Sequence, residues 1–203
     1  MMSNPLLIIF ARNPELGRVK SRLAQTAGPV KALEIYNLLL NRTCQIALDS
    51  RSDKTVYYSD RLEQDDIWDS QVFKKAVQSN GDLGVRMLEA FRRAFDDGYE
   101  KVVIIGSDCY ELTSEIINTA FEELNQTDMV IGPAKDGGYY LTGMKELHSQ
   151  VFIDKKWSTP SVLKDTLHDI GKLGLKLRLL PLLNDVDFEE DLKGLQPEMI
   201  KTR

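Results

Sequence analysis

The stretch "VVIIGSDCYELT" (residues 102–113) runs four apolar residues into Gly106, Ser107 and a single acid, Asp108. A carboxylate at the end of a buried strand either caps the next helix or does chemistry, and Thr113 is the better placed cap. Two further acids, Asp185 and Asp187, stand two apart in "NDVDFEEDL" (184–192). In an extended segment alternate side chains share a side, so both can turn toward one cation; the bland alternative is a solvated acidic turn. Hard carboxylate oxygens suit Mg2+ or Mn2+, which bind through one or two carboxylates together with substrate phosphates. Asp191, a few residues on, is expected to cap or start a terminal helix.

The positive counterpart is "ARNPELGRVKSRLA" (11–24), which gathers Arg12, Arg18, Lys20 and Arg22 around Gly17. Forked guanidinium donors beside a glycine suit a phosphate or diphosphate, although a solvated basic turn has the same composition. The spacing matches neither a Walker A loop nor a G-x-G-x-x-G fingerprint. Glycines recur in "QSNGDLGVRM" (78–87), where Gly81 and Gly84 bracket Asp82, and in "GPAKDGGYYLTG" (132–143), where Asp136, Gly137 and Gly138 precede a tyrosine pair. Glycine permits positive φ or close approach of a flat ligand; a tight hairpin is the stand-alone reading of "KDGGYY". Together these segments describe a metal-dependent nucleotide site, with cations for a diphosphate, acids for its metal, and glycines for base and sugar. His148 and His168 have no spaced partner and read as surface or packing residues. Trp157 reads first as a packed tryptophan, with ligand stacking as its alternative. Cys109 lacks a nearby histidine, which argues against a nucleophile.

Elements that could bring such distant residues together are legible. "PLLIIFA" (5–11) and "KVVIIGS" (101–107) are continuous apolar runs, as in strands buried on both faces of a parallel sheet. After an irregular loop, Leu33, Tyr36, Leu40, Cys44 and Ala47 mark one face of a helix ending near Asp49. Strands are expected at 54–59 and 73–78, and a second helix, carrying Gly84, Leu88, Phe91 and Phe95, closes at Gly98. Thr113 caps a third helix with Glu115 in its first turn. Strands at 128–134 and 139–144, a helix at 161–172, a strand at 175–181 and a short terminal helix complete the chain. Strands alternating with helices predict an α/β fold, a mainly parallel sheet with helices on both faces, in which ligands bind at the carboxyl ends of the strands.

With 203 residues, 42% of them apolar, the whole chain (1–203) is expected to form a single domain. A net charge of −5 argues against nucleic acid and for a small ligand. Two cysteines, far apart, provide neither a zinc cluster nor a disulfide framework, and a cytoplasmic location fits. The first apolar run is too short for a signal peptide or a membrane span. Homo-oligomerisation is left open.

Six segments, "NPELGRVKSRLA", "QSNGDLGVRM", "IGSDCYELT", "GPAKDGGYYLTG", "WSTPSVLKDTL" and "LPLLNDVDFEEDL", follow one another in an order that resembles a bacterial family of glycosyltransferase-like proteins often found near radical-SAM enzymes. That family is related to nucleotide-diphospho-sugar transferases of the GT-A fold, and more distantly to molybdenum-cofactor and phospholactate nucleotidylyltransferases. The resemblance runs from residue 5 to about 192. It implies that Arg12, Arg18, Lys20 and Arg22 belong to a phosphate loop and that Gly81, Asp82 and Gly84 line the nucleotide. It also implies Asp108 as a metal ligand, Asp136 with Gly137 and Gly138 as a sugar-side or acceptor-side loop, and Asp185 and Asp187 as the second metal-facing position. Tyr110 stands where the family has proline, Phe188 where it has threonine after "DVD", and Ser21 where it has threonine. The implied enzyme is a transferase that takes a nucleotide-diphosphate sugar and a small-molecule acceptor and uses Mg2+ or Mn2+. In it Asp108 and a late acid hold the cation, Arg18 and Lys20 support the same oxygens, and Asp136 acts as a base or sugar ligand. Nucleotidyl transfer from a nucleoside triphosphate would use the same groups. A non-catalytic nucleotide-binding module is the third reading, favoured by Tyr110 and Phe188.

Overall fold

The structure, a computed structural model, describes residues 5–194. Its centre is β1 (Leu6–Ala11), paired in parallel with β2 (Asp53–Tyr58) on one side and β4 (Val102–Ile105) on the other. Alternation along β1 accounts for its uninterrupted apolar sequence. Leu7, Ile9 and Ala11 enter one core cluster, and Leu6 and Ile8 enter the cluster on the opposite face. β3 (Phe73–Val77) extends the sheet beyond β2, while β6 (Tyr139–Met144), β5 (Met129–Pro133) and β7 (Leu177–Leu179) extend it beyond β4, giving the order β3-β2-β1-β4-β6-β5-β7. β6 runs antiparallel to both its neighbours, and the other pairings are parallel. The carboxyl ends of six strands therefore share one rim with the amino end of β6.

Helices cover both faces. α2 (Pro29–Leu48) and α4 (Ser114–Glu123) pack Tyr36, Leu40, Ile117 and Phe121 on one side of the sheet. α3 (Leu83–Asp96) and α5 (Val162–Lys172) pack Met87, Phe91 and Ile170 on the other. Thr113 caps α4, accepting the Ile116 amide, with Glu115 in the first turn as expected. A seven-residue helix, α1 (Ser21–Ala27), occupies what reads in the sequence as irregular loop. It buries Leu23, too little apolar surface for a periodic signal. β7 is shorter than its apolar run because only 177–179 pair with β5. A 3-10 turn at Ser149–Phe152 follows β6. The expected terminal helix is a 3-10 helix over Glu189–Gly194, and any continuation lies outside the described residues.

A third, smaller cluster forms at the rim. Leu23 of α1 and Ala32, Ile35 and Leu39 of α2 enclose Val186 and Leu192. It joins the first loop to the segment after β7, which positions the site.

Candidate active site

Val186 is 3% exposed, and its burial decides where its neighbours point. With Val186 turned into the third cluster, period-two alternation turns Asp185 and Asp187 away from it, and both line a cleft of about 780 Å3 at the strand-end rim. The Val186 amide donates to the Asp108 carbonyl at 3.0 Å, joining this segment to the loop after β4. Asp191 fixes the turn by accepting the Asp187 and Phe188 amides and the Asn184 side chain at 2.9, 2.8 and 2.7 Å. It organises the Asp185–Asp187 loop from inside the 3-10 helix.

From the opposite wall comes Lys20, at the start of α1 in a left-handed conformation with φ 47°. Its side chain is 4% exposed, and its ammonium lies 3.0 Å from Asp108 and 3.4 Å from Asp187. Arg22 binds the second oxygen of Asp187 at 2.9 Å. Arg12 and Arg18 line the same cleft, Arg18 mostly solvated and paired with Glu15 at 3.2 Å. The loop is supported from below by two residues that sequence reasoning had assigned to the core or left unassigned. The Tyr36 hydroxyl accepts the Arg12 amide at 2.7 Å and lies 3.2 Å from Ser107, next to Asp108. Burial, and then the charge of Asp108, push its phenol up to about 12. Asn13, buried, ties the loop to the segment after β2 through the Asp60 amide, the Arg61 carbonyl and Glu63. Neither residue betrays this role locally, since Tyr36 sits on an apolar helical stripe and Asn13 in a turn.

The third wall is the β5–β6 hairpin. The Gly138 amide donates to one Asp136 oxygen at 2.8 Å, and Asp136, Gly138 and Tyr139 line the cleft. The segment before α5 contributes Trp157, Ser158, Thr159 and Pro160. Leu83 at the start of α3 and Phe188, which lies under the Arg22 guanidinium, complete the rim.

Electrostatically the cleft is divided. Burial, followed by the charges of Asp108 and Asp136, raises the Asp185 carboxyl to about 7; Lys20 opposes the rise and Asp187 adds to it. Asp108, Asp136, Asp185 and Asp187 line one cleft, and carboxylate oxygens are the hard donors that Mg2+ and Mn2+ select, so the residue types present suit such an ion. Among the described residues no three acidic, cysteine or histidine side chains already form a finished metal site. The cation between Asp108 and Asp187 is the Lys20 ammonium. Burial, and then the charge of Asp185, push the Cys109 thiol far up.

Arg12, Arg18, Lys20, Arg22, Asp108, Asp136, Gly138, Asp185 and Asp187 thus converge on one cleft. Other sequence candidates serve it from outside. Gly17 turns the first loop with φ 78°. Of residues 81–84, Leu83 lines the cleft, while Asp82 accepts the Val85 amide at 2.9 Å as the cap of α3. Gly84 and Gly137 are packing glycines: a Cβ would stand 2.3 Å from the Trp157 ring nitrogen at the first and 2.2 Å from the Pro160 carbonyl oxygen at the second. Tyr110, in the place of a proline, packs against the third cluster under the Arg42 guanidinium.

Sheet order, reversed strand and rim cleft together define a nucleotide-diphospho-sugar transferase-like fold. The crystal structure of a "putative nucleotide-diphospho-sugar transferase" from Desulfovibrio desulfuricans G20 superposes with a TM-score of 0.83 at 33% identity, covering 92% of this chain and 84% of that one. Rv0371c of Mycobacterium tuberculosis H37Rv, in complex with manganese, shares the fold at a TM-score of 0.58 and 12% identity, over 95% and 98% of the two chains. So does 4-diphosphocytidyl-2C-methyl-D-erythritol synthase from Anaerococcus prevotii DSM 20548, at 0.57 and 11%, over 95% and 96%. No curated protein matches the chain. Residues 42–159 match DUF2064, a family described as an uncharacterized protein conserved in bacteria, and the chain belongs to that family.

Proposed function

We propose that the protein is a transferase whose rim cleft binds a nucleotide-diphosphate sugar with Mg2+ or Mn2+ and passes the sugar to a small-molecule acceptor. The observation that carries this reading is the convergence of Lys20 and three arginines on the same cleft as Asp108, Asp136, Asp185 and Asp187. Cations alone would suit any anion, and acids alone any metal. The two facing each other across a few ångströms suit a metal-bridged diphosphate.

Asp108 and Asp185, with Asp187, would hold the cation. When bound, that ion supplies charge neutralisation at the departing diphosphate. Arg18 and Arg22 bind the phosphate oxygens from the solvent side. Lys20, already beside the acids, turns its ammonium onto the same oxygens and stabilises the negative charge that grows as the sugar–phosphate bond breaks. Asp136, one oxygen fixed by the Gly138 amide, offers its other oxygen to the acceptor hydroxyl and takes its proton as the acceptor oxygen bonds to the sugar and the diphosphate departs. The Desulfovibrio protein, similar over nearly the whole chain, carries the matching description. Among the described residues no helix is long and apolar enough to cross a membrane.

A thermal-shift panel of nucleoside diphosphates, triphosphates and nucleotide sugars, with and without manganese, tests the reading on the native chain and on Asp108→Ala. Metal-dependent stabilisation, greatest with a nucleotide sugar and absent from the variant, is expected. Equal shifts in both proteins, or none in either, would refute it. Stabilisation greatest with a triphosphate, followed by pyrophosphate release, would move the chemistry to nucleotidyl transfer.

A further inference from the structure

The chain between the 3-10 turn and α5, residues 153–161, is held in an unusual way. Three non-glycine residues of the described chain have left-handed backbone; Asp154 (φ 55°) and Ser158 (φ 62°) are both here, and the third is Lys20 on the facing wall. Non-glycine residues persist in that region only where packing over-determines them. The packing is visible at two glycines. The Trp157 indole fits against Gly84 and the Pro160 backbone against Gly137, each closer than any Cβ would allow, and the Gly137 carbonyl accepts the Leu163 amide at 2.9 Å. Tyr139 meets Trp157 edge to face, with ring centroids 6.4 Å apart and planes at 85°. The result is a fixed, half-buried indole on a cleft that Ser158, Thr159 and Asp136 also line.

An aromatic face next to a carboxylate and hydroxyls is the chemistry that recognises a sugar ring. The apolar C–H face of the ring stacks on the π-system, while its hydroxyls donate to the carboxylate. Position supports the same ligand. Along the rim the cationic loop lies at the end of β1 and Asp108 at the end of β4, and Trp157, Tyr139 and Asp136 lie past them on the β6–β5 side. A diphosphate between the cations and Asp108 directs one of its substituents to this wall.

We infer that Trp157, braced by Tyr139 and Gly84, is the stacking platform for a sugar ring, with Asp136 binding the ring hydroxyls. The inference rests on the nucleotide-sugar reading of the cleft and names the residue that selects the sugar.

Indole fluorescence tests it, because the chain has two tryptophans and the other, Trp68, is 2% exposed. Native protein and Trp157→Phe are titrated, with manganese, with UDP, GDP and ADP, with their glucose or mannose conjugates, and with free glucose, mannose and N-acetylglucosamine. A saturable change in emission is expected with a conjugate, if the platform holds the donor sugar, or with a free sugar in the presence of nucleoside diphosphate, if it holds the acceptor. The change is lost in Trp157→Phe, whose affinity for the sugar-bearing probe falls by about three- to tenfold while its affinity for the diphosphate stays the same. If diphosphate alone produces the change, the indole stacks on a base and the inference is overturned. It is equally overturned if the diphosphate binds and no sugar, free or conjugated, alters Trp157 emission. A free sugar that acts where no diphosphate binds would uphold the platform and refute the nucleotide reading. Silence of every probe refutes both.

Discussion

Replacing Lys20 by methionine removes the ammonium and keeps most of the aliphatic chain. The lost contacts are those to Asp108 at 3.0 Å and Asp187 at 3.4 Å, made by a side chain that is 4% exposed to partners that are 45% and 28% exposed. A fully buried pair broken on one side costs about 3–5 kcal/mol and a surface pair about 0–1, so these half-open partners imply a loss of about 1–2 kcal/mol. In a chain of this length that lowers Tm by about 2–8 °C. Cation binding moves the other way. One unit charge at about 5 Å in an effective dielectric of about 20 repels a divalent ion by roughly 7 kcal/mol. Solvent screening reduces this to about 1–2, or about a 5- to 30-fold gain in Mn2+ affinity for the nucleotide-free variant. Nucleoside diphosphate, by contrast, loses a charge-assisted hydrogen bond and binds about tenfold more weakly or worse. Calorimetric titration of Mn2+ and of the diphosphate, with free Mn2+ followed by paramagnetic resonance, separates the two effects. Opposite signs are required. Unchanged or weaker Mn2+ binding in a folded Lys20→Met protein would refute the picture of Lys20 as the resident counter-ion of the acids.

On the proposed reading, the raised Asp185 carboxyl makes cation binding depend on pH. Its folded pKa of about 7 lies above the usual carboxylate value, so the group favours folding at low pH and that contribution is lost as pH rises through about 7. A divalent ion must displace this proton below pH 7; Mn2+ affinity is therefore expected to rise with pH up to about 7 and then level off, and a flat profile from pH 5 to 8 would contradict it. Gly84→Ala forces a methyl group to 2.3 Å from the Trp157 ring nitrogen and 2.6 Å from the Phe152 carbonyl oxygen, and the backbone atom cannot swing aside. A loss of about 1–3 kcal/mol in urea unfolding, with a shift in tryptophan emission, is expected. Thr113→Ala removes the acceptor for the Ile116 amide and should cost about 1 kcal/mol in thermal unfolding with ligand binding unchanged.

What was legible in the sequence is what local pattern encodes. β1 and β4 are continuous apolar runs because both faces are covered, α2 and α3 display apolar stripes, and Thr113 precedes its helix with the right residue type. The acids and cations of the cleft could be nominated because charge at a strand end conflicts with core packing. Their partnerships could not. Lys20 and Asp187 are 167 residues apart and meet because Val186 fills a cluster shared with α1 and α2, which only the assembled fold creates. α1 was hidden by its brevity. Asp82 attracted a ligand role from its glycine neighbours, although an acid three residues before an amide it can accept is also a cap signature. Trp157 reads as a packed ring with ligand stacking as the alternative, and it does pack against the second cluster; the notch that seats it belongs to the distant Gly84 and has no local signal.

The reversal of β6 has a consequence for redesign. Because β5 and β6 are antiparallel, they join at the rim through Ala134–Gly138 without a crossover helix, and that turn is fastened at almost every residue. The Ala134 amide meets the Gly138 carbonyl, the Lys135 amide meets Leu183, and Gly137 bonds both Ala134 and Leu163. A turn with no slack accepts neither insertion nor a new course. The 153–161 strap, by contrast, enters from a connection between elements and meets the turn where Pro160 packs on Gly137. Grafting alternative straps between Phe152 and Val162, with Gly84 and Gly137 kept as their sockets, is the route by which this scaffold can be retuned without disturbing its acids.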